Sequence, residues 1–229
     1  MNYATSILNY MKQVKKIALR LLLAFGVFVL ILIVNLLIFN ISAKKVTEGV
    51  PIENRNSEQV ALLVIDIQEG TTGEVSATNG LIRQSESLIE QVNHLAAKAA
   101  DKGWYLVWIR SEVSNPLLNI LNNTLAKGSP GAQLDKRLDT SNGIVLVKKK
   151  SDSFTNTQLD QFLEEQKIGQ LIIAGLAADR CVLSTIKAAS NRGYPIRVFE
   201  ETVIAEDETI MPEILETYKE FGVEVLTMK

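Results

Sequence analysis

The chain carries one cysteine, Cys181, in the stretch GLAADRCVLST (residues 175–185). A lone thiol makes no intramolecular disulfide, and free cysteine is among the most buried residue types, so packing is one reading of it. The other is nucleophilic catalysis, which needs a base and a charge partner within reach. Two candidates stand elsewhere: Asp66 ends the run VALLVID (60–66), and Lys148 ends GIVLVK (143–148). Asp66 could take the thiol proton and return it to a leaving group. Lys148 could hold that carboxylate and the negative charge that develops. A thiol of ordinary pKa, about 8.5, is mostly protonated at neutral pH, while a helix N-terminus or a nearby cation favours the thiolate. With both beside it, Cys181 is expected to titrate well below that value. Backbone N–H groups of the turn 176–181 could supply an oxyanion hole.

These residues can meet only if the fold brings three distant loops together. Strands are expected at 60–66, 104–110, 143–148, 170–175, 195–200 and 223–228, and helices at 80–102, 117–126, 156–168, 181–192 and 208–221. In the first helix Leu81, Ile82, Leu88, Ile89, Val92, Leu95, Ala96 and Ala99 recur at helical spacing, and Gly103 closes it. Strands that are continuously apolar and alternate with helices predict an α/β fold, a three-layer α/β/α, Rossmann-like arrangement around a six-stranded parallel sheet. In such sheets the ligand crevice lies outside the carboxyl ends of the strands. Asp66 and Lys148 end strands there, and Cys181 starts the helix that follows the fourth.

The chain before this domain has another character. From Leu21 to Ile41 it runs 21 residues without a charge, which as a helix spans roughly 30 Å, the thickness of a bilayer's hydrocarbon core. The run exceeds a signal peptide's apolar region, and ISAKK (41–45) is a poor cleavage site. We therefore expect a basic segment (1–20), one transmembrane helix (21–41), a polar stalk (42–58) and a globular domain (59–229). Lys12, Lys15, Lys16 and Arg20 precede the span, against Lys44, Lys45 and Arg55 after it. The basic flank stays cytoplasmic, so the expectation is a single-pass protein with an extracytoplasmic domain. Beyond residue 45 the chain holds 18 basic and 26 acidic residues, a formal charge of −8, which disfavours nucleic acid as a partner. Lys148-Lys149-Lys150 is the local exception.

The segments LLVIDIQEG, KGSPGAQLDKRL, VKKKSDSF and LIIAGLAADRCVLSTIKAASNRGYPIRVFEE occur in an order and spacing that resemble the isochorismatase-like cysteine hydrolase superfamily, which includes nicotinamidases and carbamoylsarcosine amidases. The resemblance covers about residues 58–229, and its most specific element is the G-x-x-x-D-x-C-V turn. It implies a catalytic triad of Asp66, Lys148 and Cys181, with Lys148 chosen because it lies six residues before Phe154. It also implies oxyanion donors at the amides of Ala177 and Cys181, a cis peptide at Leu176–Ala177, and a substrate-binding Gln68. Ala178 stands where the family usually has threonine, and Glu201-Thr202 follows the fifth strand; both positions bear on the substrate. Family members that cleave the isochorismate vinyl ether lack this cysteine, so the implied reaction is hydrolysis of a small molecule's carbon–nitrogen (amide) bond. Nicotinamidases also carry a metal built on histidines. This chain has only His94, too few ligands for a zinc site, so no metal or cofactor is expected. A catalytically idle binding module and a vinyl-ether hydrolase remain as alternatives. Homo-oligomerisation is compatible with the sequence.

Overall fold

A computed structural model describes residues 3–43, 45–53 and 56–228. The chain divides into two compact units, residues 1–41 and 42–229. The described residues of the first all lie in one helix, α1 (Tyr3–Ala43). It begins well before the charge-free run at 21–41, because residues 3–20 contain no proline or glycine to stop it.

The second unit is built on parallel strands β1 (Val60–Ile65), β2 (Tyr105–Ser111), β3 (Ile144–Lys148), β4 (Gln170–Leu176), β5 (Ile196–Phe199) and β7 (Val223–Leu226). They lie in the order β3-β2-β1-β4-β5-β7, and a two-residue β6 (Val203–Ile204) pairs with β4. The six expected strands are all present, and β6 is an addition too short to carry a pattern in sequence. Alternate residues of β1 enter separate cores: Ala61, Leu63 and Ile65 pack on one face, Val60, Leu62 and Val64 on the other. A strand buried on both sides has to be apolar throughout, which is why VALLVI shows no alternation.

Helices α2 (Asn79–Asp101), α3 (Pro116–Leu121), α4 (Leu159–Glu165), α5 (Leu183–Asn191) and α6 (Met211–Glu220) connect the strands. In α2 the expected apolar face is buried except for Ile82, which is exposed. Helix α3 stops at Leu121, short of the expected 126, because the Asn122 side chain accepts the Thr124 N–H and turns the chain out of the helix. Helix α5 is preceded by a π-helical turn, Ala178–Val182, which contains Cys181.

From β1 the strands run outward one way through β2 and β3; from β4 they run the other way through β5 and β7. The sequence of strands therefore reverses between β1 and β4, and a crevice opens at their carboxyl ends. There the two backbones approach so closely that a Cβ on Gly175, whose φ is +114°, would lie 2.0 Å from the Ile65 carbonyl oxygen.

Candidate active site

Asp66 is the first residue beyond β1. It has a φ of +57° and donates its N–H to the Ile109 carbonyl at 2.8 Å, so the chain leaves the sheet at the crevice. Its carboxylate is buried. Oδ2 lies 2.7 Å from Nζ of Lys148, and Oδ1 accepts from the Ser111 hydroxyl at 2.8 Å. Lys148 ends β3, two strands away from β1, and neighbouring strands stand about 4.8 Å apart. The length of a lysine covers that gap. Ser111, paired with Lys148 in the β2–β3 register, fills the space between: its hydroxyl accepts from Nζ at 2.9 Å and donates to Asp66. The Lys150 carbonyl accepts from the same ammonium at 3.1 Å.

Cys181 arrives from the β4 side and is partly buried. Its thiol adjoins both Asp66 and Lys148, so the structure brings together the three residues that the sequence singled out. Burial first, and then the Asp66 carboxylate, push the thiol up to about 12. This overturns the expectation of a thiol titrating below its ordinary value. Lys148 does pull the other way, but its charge is paired with Asp66 at 2.7 Å. Burial also works against the charged form of Lys148. The Asp66 carboxylate opposes this, and the ammonium is held above the usual lysine range. At rest the proton stays on sulfur, beside the Asp66–Lys148 ion pair.

Asp66, Gln68, Ser111, Ala177 and Cys181 line a cavity of about 290 Å³, which Thr71, Leu81, Asn122, Thr124 and Leu125 help to enclose. Arg180 stands at its mouth, exposed, in ion pairs with Glu206 (3.1 Å) and Asp179 (3.4 Å). The bond between Leu176 and Ala177 is cis. Gln68, expected to bind substrate, borders the cavity, yet its amide is engaged by protein. Nε2 donates to the carbonyls of Ser111 (3.0 Å) and Ala132 (2.9 Å), and Oε1 accepts the Ser111 N–H at 2.8 Å. In this position it holds Ser111.

Ser111 is the residue that sequence reasoning missed. The signal was its place at the carboxyl end of β2, the edge that carries Asp66 and Lys148. His94 lies exposed on α2, and among the described residues no three of His, Cys, Asp and Glu gather into a metal-holding group.

The family model for the isochorismatase domain matches residues 60–229. A ureidoacrylate amidohydrolase of Cronobacter sakazakii is 28% identical over 179 residues, covering 66% of this chain and 75% of that protein. An uncharacterised isochorismatase family protein of Bacillus subtilis is 22% identical over 148 residues, covering 65% and 75%. Among solved structures, the N-carbamoylsarcosine amidase of Thermoplasma acidophilum shares the fold, with a TM-score of 0.63 and 22% identity over 74% of this chain and 96% of that one.

Proposed function

Since the chain belongs to the isochorismatase family, whose relatives here include amidohydrolases acting on non-peptide carbon–nitrogen bonds, we propose that it is a membrane-anchored cysteine amidohydrolase acting on a small molecule. The observation that carries this reading is the junction of Cys181, which lines one cavity with Asp66, with the Asp66–Lys148 ion pair. Sγ attacks the amide carbonyl as its proton passes to Asp66, and the amides of Ala177 and Cys181 receive the oxyanion. Asp66 then gives the proton to the departing nitrogen, which leaves as ammonia or an amine. The thioester that remains is hydrolysed by a water from which Asp66 takes a proton, and the thiol is restored. Lys148, 2.7 Å from Oδ2, fixes the position of the Asp66 carboxyl group between these transfers, and Ser111 and Gln68 hold the pair in place.

The anchor is α1, whose apolar stretch is long enough to cross a bilayer and is not buried in a protein core. The excess of basic residues before the span favours an extracytoplasmic domain. A panel of small primary amides, ureas and carbamoyl compounds tests the activity. We expect a burst of ammonia equal to the enzyme concentration, lost in Cys181→Ser. Binding without a burst across the panel would leave an idle module, and vinyl-ether cleavage that survives Cys181→Ala would mean a different chemistry. For the anchor, alkaline carbonate should leave the protein in the membrane pellet, and protease added to intact cells should remove a C-terminal tag.

A further inference from the structure

The segment 45–53, expected to be part of a stalk, packs on the domain. Val46 and Ile52 lie against the core, and the Ile52 N–H donates to the Arg192 carbonyl at 2.9 Å. Gly49 is required there: its φ is +67°, and a Cβ would sit 2.3 Å from the Arg192 guanidinium carbon. Packing alone would need no more than this. Thr47 adds something different. It donates both its N–H (2.9 Å) and its hydroxyl (2.7 Å) to one oxygen, Oδ2 of the fully buried Asp152. The Phe154 N–H donates to Oδ1 at 2.8 Å, and the Thr155 hydroxyl to Oδ2 at 3.0 Å. A buried carboxylate depends on such donors, and here two of the four come from Thr47.

Asp152 stands between two residues that hold the candidate machinery. On one side, the Lys150 carbonyl receives a proton of Lys148. On the other, Ser153 meets Thr185. The Thr185 hydroxyl has a single proton, which goes to the Cys181 carbonyl at 2.8 Å. Ser153 is therefore the donor in their 2.8 Å contact, and its N–H adds a second bond at 3.2 Å. One anchor point thus governs a bond to the ammonium and a bond to the backbone of the thiol.

We infer that Thr47, acting through Asp152, is a positioning residue for Lys148 and Cys181, so that the chain just beyond the membrane-length helix completes the site. The inference rests on the cysteine-hydrolase reading, and its test separates the two. The full-length protein in detergent is compared with Thr47→Val, Thr47→Ser and, as a control on the other face of the sheet, Val92→Ala. Three quantities are followed: labelling of Cys181 by iodoacetamide across pH, hydrogen exchange of segments 148–155 and 178–185, and Tm. Thr47→Val should label roughly tenfold more slowly at fixed pH, equivalent to about 1.4 kcal/mol, and should lose protection in both segments. Thr47→Ser should restore both readings, and Val92→Ala should lower Tm without moving either. Wild-type labelling and exchange in Thr47→Val, however far its Tm falls, would overturn the inference. Failure of the hydrolase reading looks different: no ammonia burst from the wild type, with exchange still linking Thr47 to 178–185.

Discussion

Replacing Asp66 with asparagine should make Cys181 more reactive towards an alkylating agent while abolishing its turnover of amides. The argument starts from a thiol pushed up to about 12. At pH 8 about one molecule in ten thousand would then be thiolate, against roughly a quarter for a free thiol of pKa about 8.5. A more basic thiolate is a better nucleophile, with a Brønsted slope of about 0.45, which returns roughly a factor of forty. The wild-type domain should thus label on the order of fiftyfold more slowly than a cysteine peptide, with a rate that climbs through pH 10 without a plateau near 8.5. Asp66→Asn removes the second of the causes that raise the thiol and leaves Lys148 unpaired beside it. A unit charge at a few ångströms and an effective dielectric near 20 is worth about 3–4 kcal/mol before relaxation. Even a third of that speeds labelling several-fold. Amide turnover should fall by three orders of magnitude or more, because the proton has no acceptor. The assay is stopped-flow or mass-resolved iodoacetamide labelling from pH 6 to 10.5, beside ammonia release. Labelling that plateaus below pH 8.5 in the wild type, or slows in Asp66→Asn, would refute the neutral-thiol resting state.

Other consequences can be checked in the same way. Ser111→Ala removes the hydroxyl shared by Asp66 and Lys148; kcat should drop at least tenfold with KM little changed, and stability should fall by about 1–3 kcal/mol in a denaturant titration. Gly175→Ala places a methyl 2.0 Å from the Ile65 carbonyl oxygen at a φ of +114°; loss of soluble folded protein, or a Tm lower by ten degrees or more, is expected. Incubation with a strong chelator should leave ammonia release and Tm unchanged, because the described residues offer no group of three metal ligands; activity lost with a stoichiometric metal and restored by its return would contradict this.

Much of the fold was legible because both sheet faces are covered. A strand with no polar side has one reading; VALLVI, YLVWI, IVLV and LIIAG are such runs, and together with the two that Arg197 and Glu224 interrupt they alternate with amphipathic stretches, which leaves little besides a parallel α/β sheet. Asp66, Lys148 and Cys181 were legible for a related reason, since residues at strand ends converge by topology. Ser111 was not, because a serine closing WYLVWIRS looks like any strand terminus until β3 brings Lys148 alongside. Gln68 came from the resemblance alone: it does border the cavity, and its amide also closes a bond set within the protein that no local pattern announces. The segment 45–53 was read as part of a stalk because it is polar and carries a proline. Its docking depends on the buried Asp152, about a hundred residues away, and no local pattern announces such a partner.

The misjudged thiol follows from counting charges singly. A helix terminus and a lysine each favour a thiolate, and on that reckoning Cys181 should be ionised. In the folded site, however, the lysine arrives already paired at 2.7 Å, and the trio is neutral as long as the proton stays on sulfur. Ionising the thiol at rest would place a net negative charge in a buried cavity, which the surroundings oppose. Moving that same proton to Asp66 as sulfur attacks a carbonyl adds no net charge. The negative charge passes from the carboxylate to the substrate's oxygen, where backbone amides can receive it. A site built this way holds a poor nucleophile when empty and becomes an effective one when a carbonyl is in place.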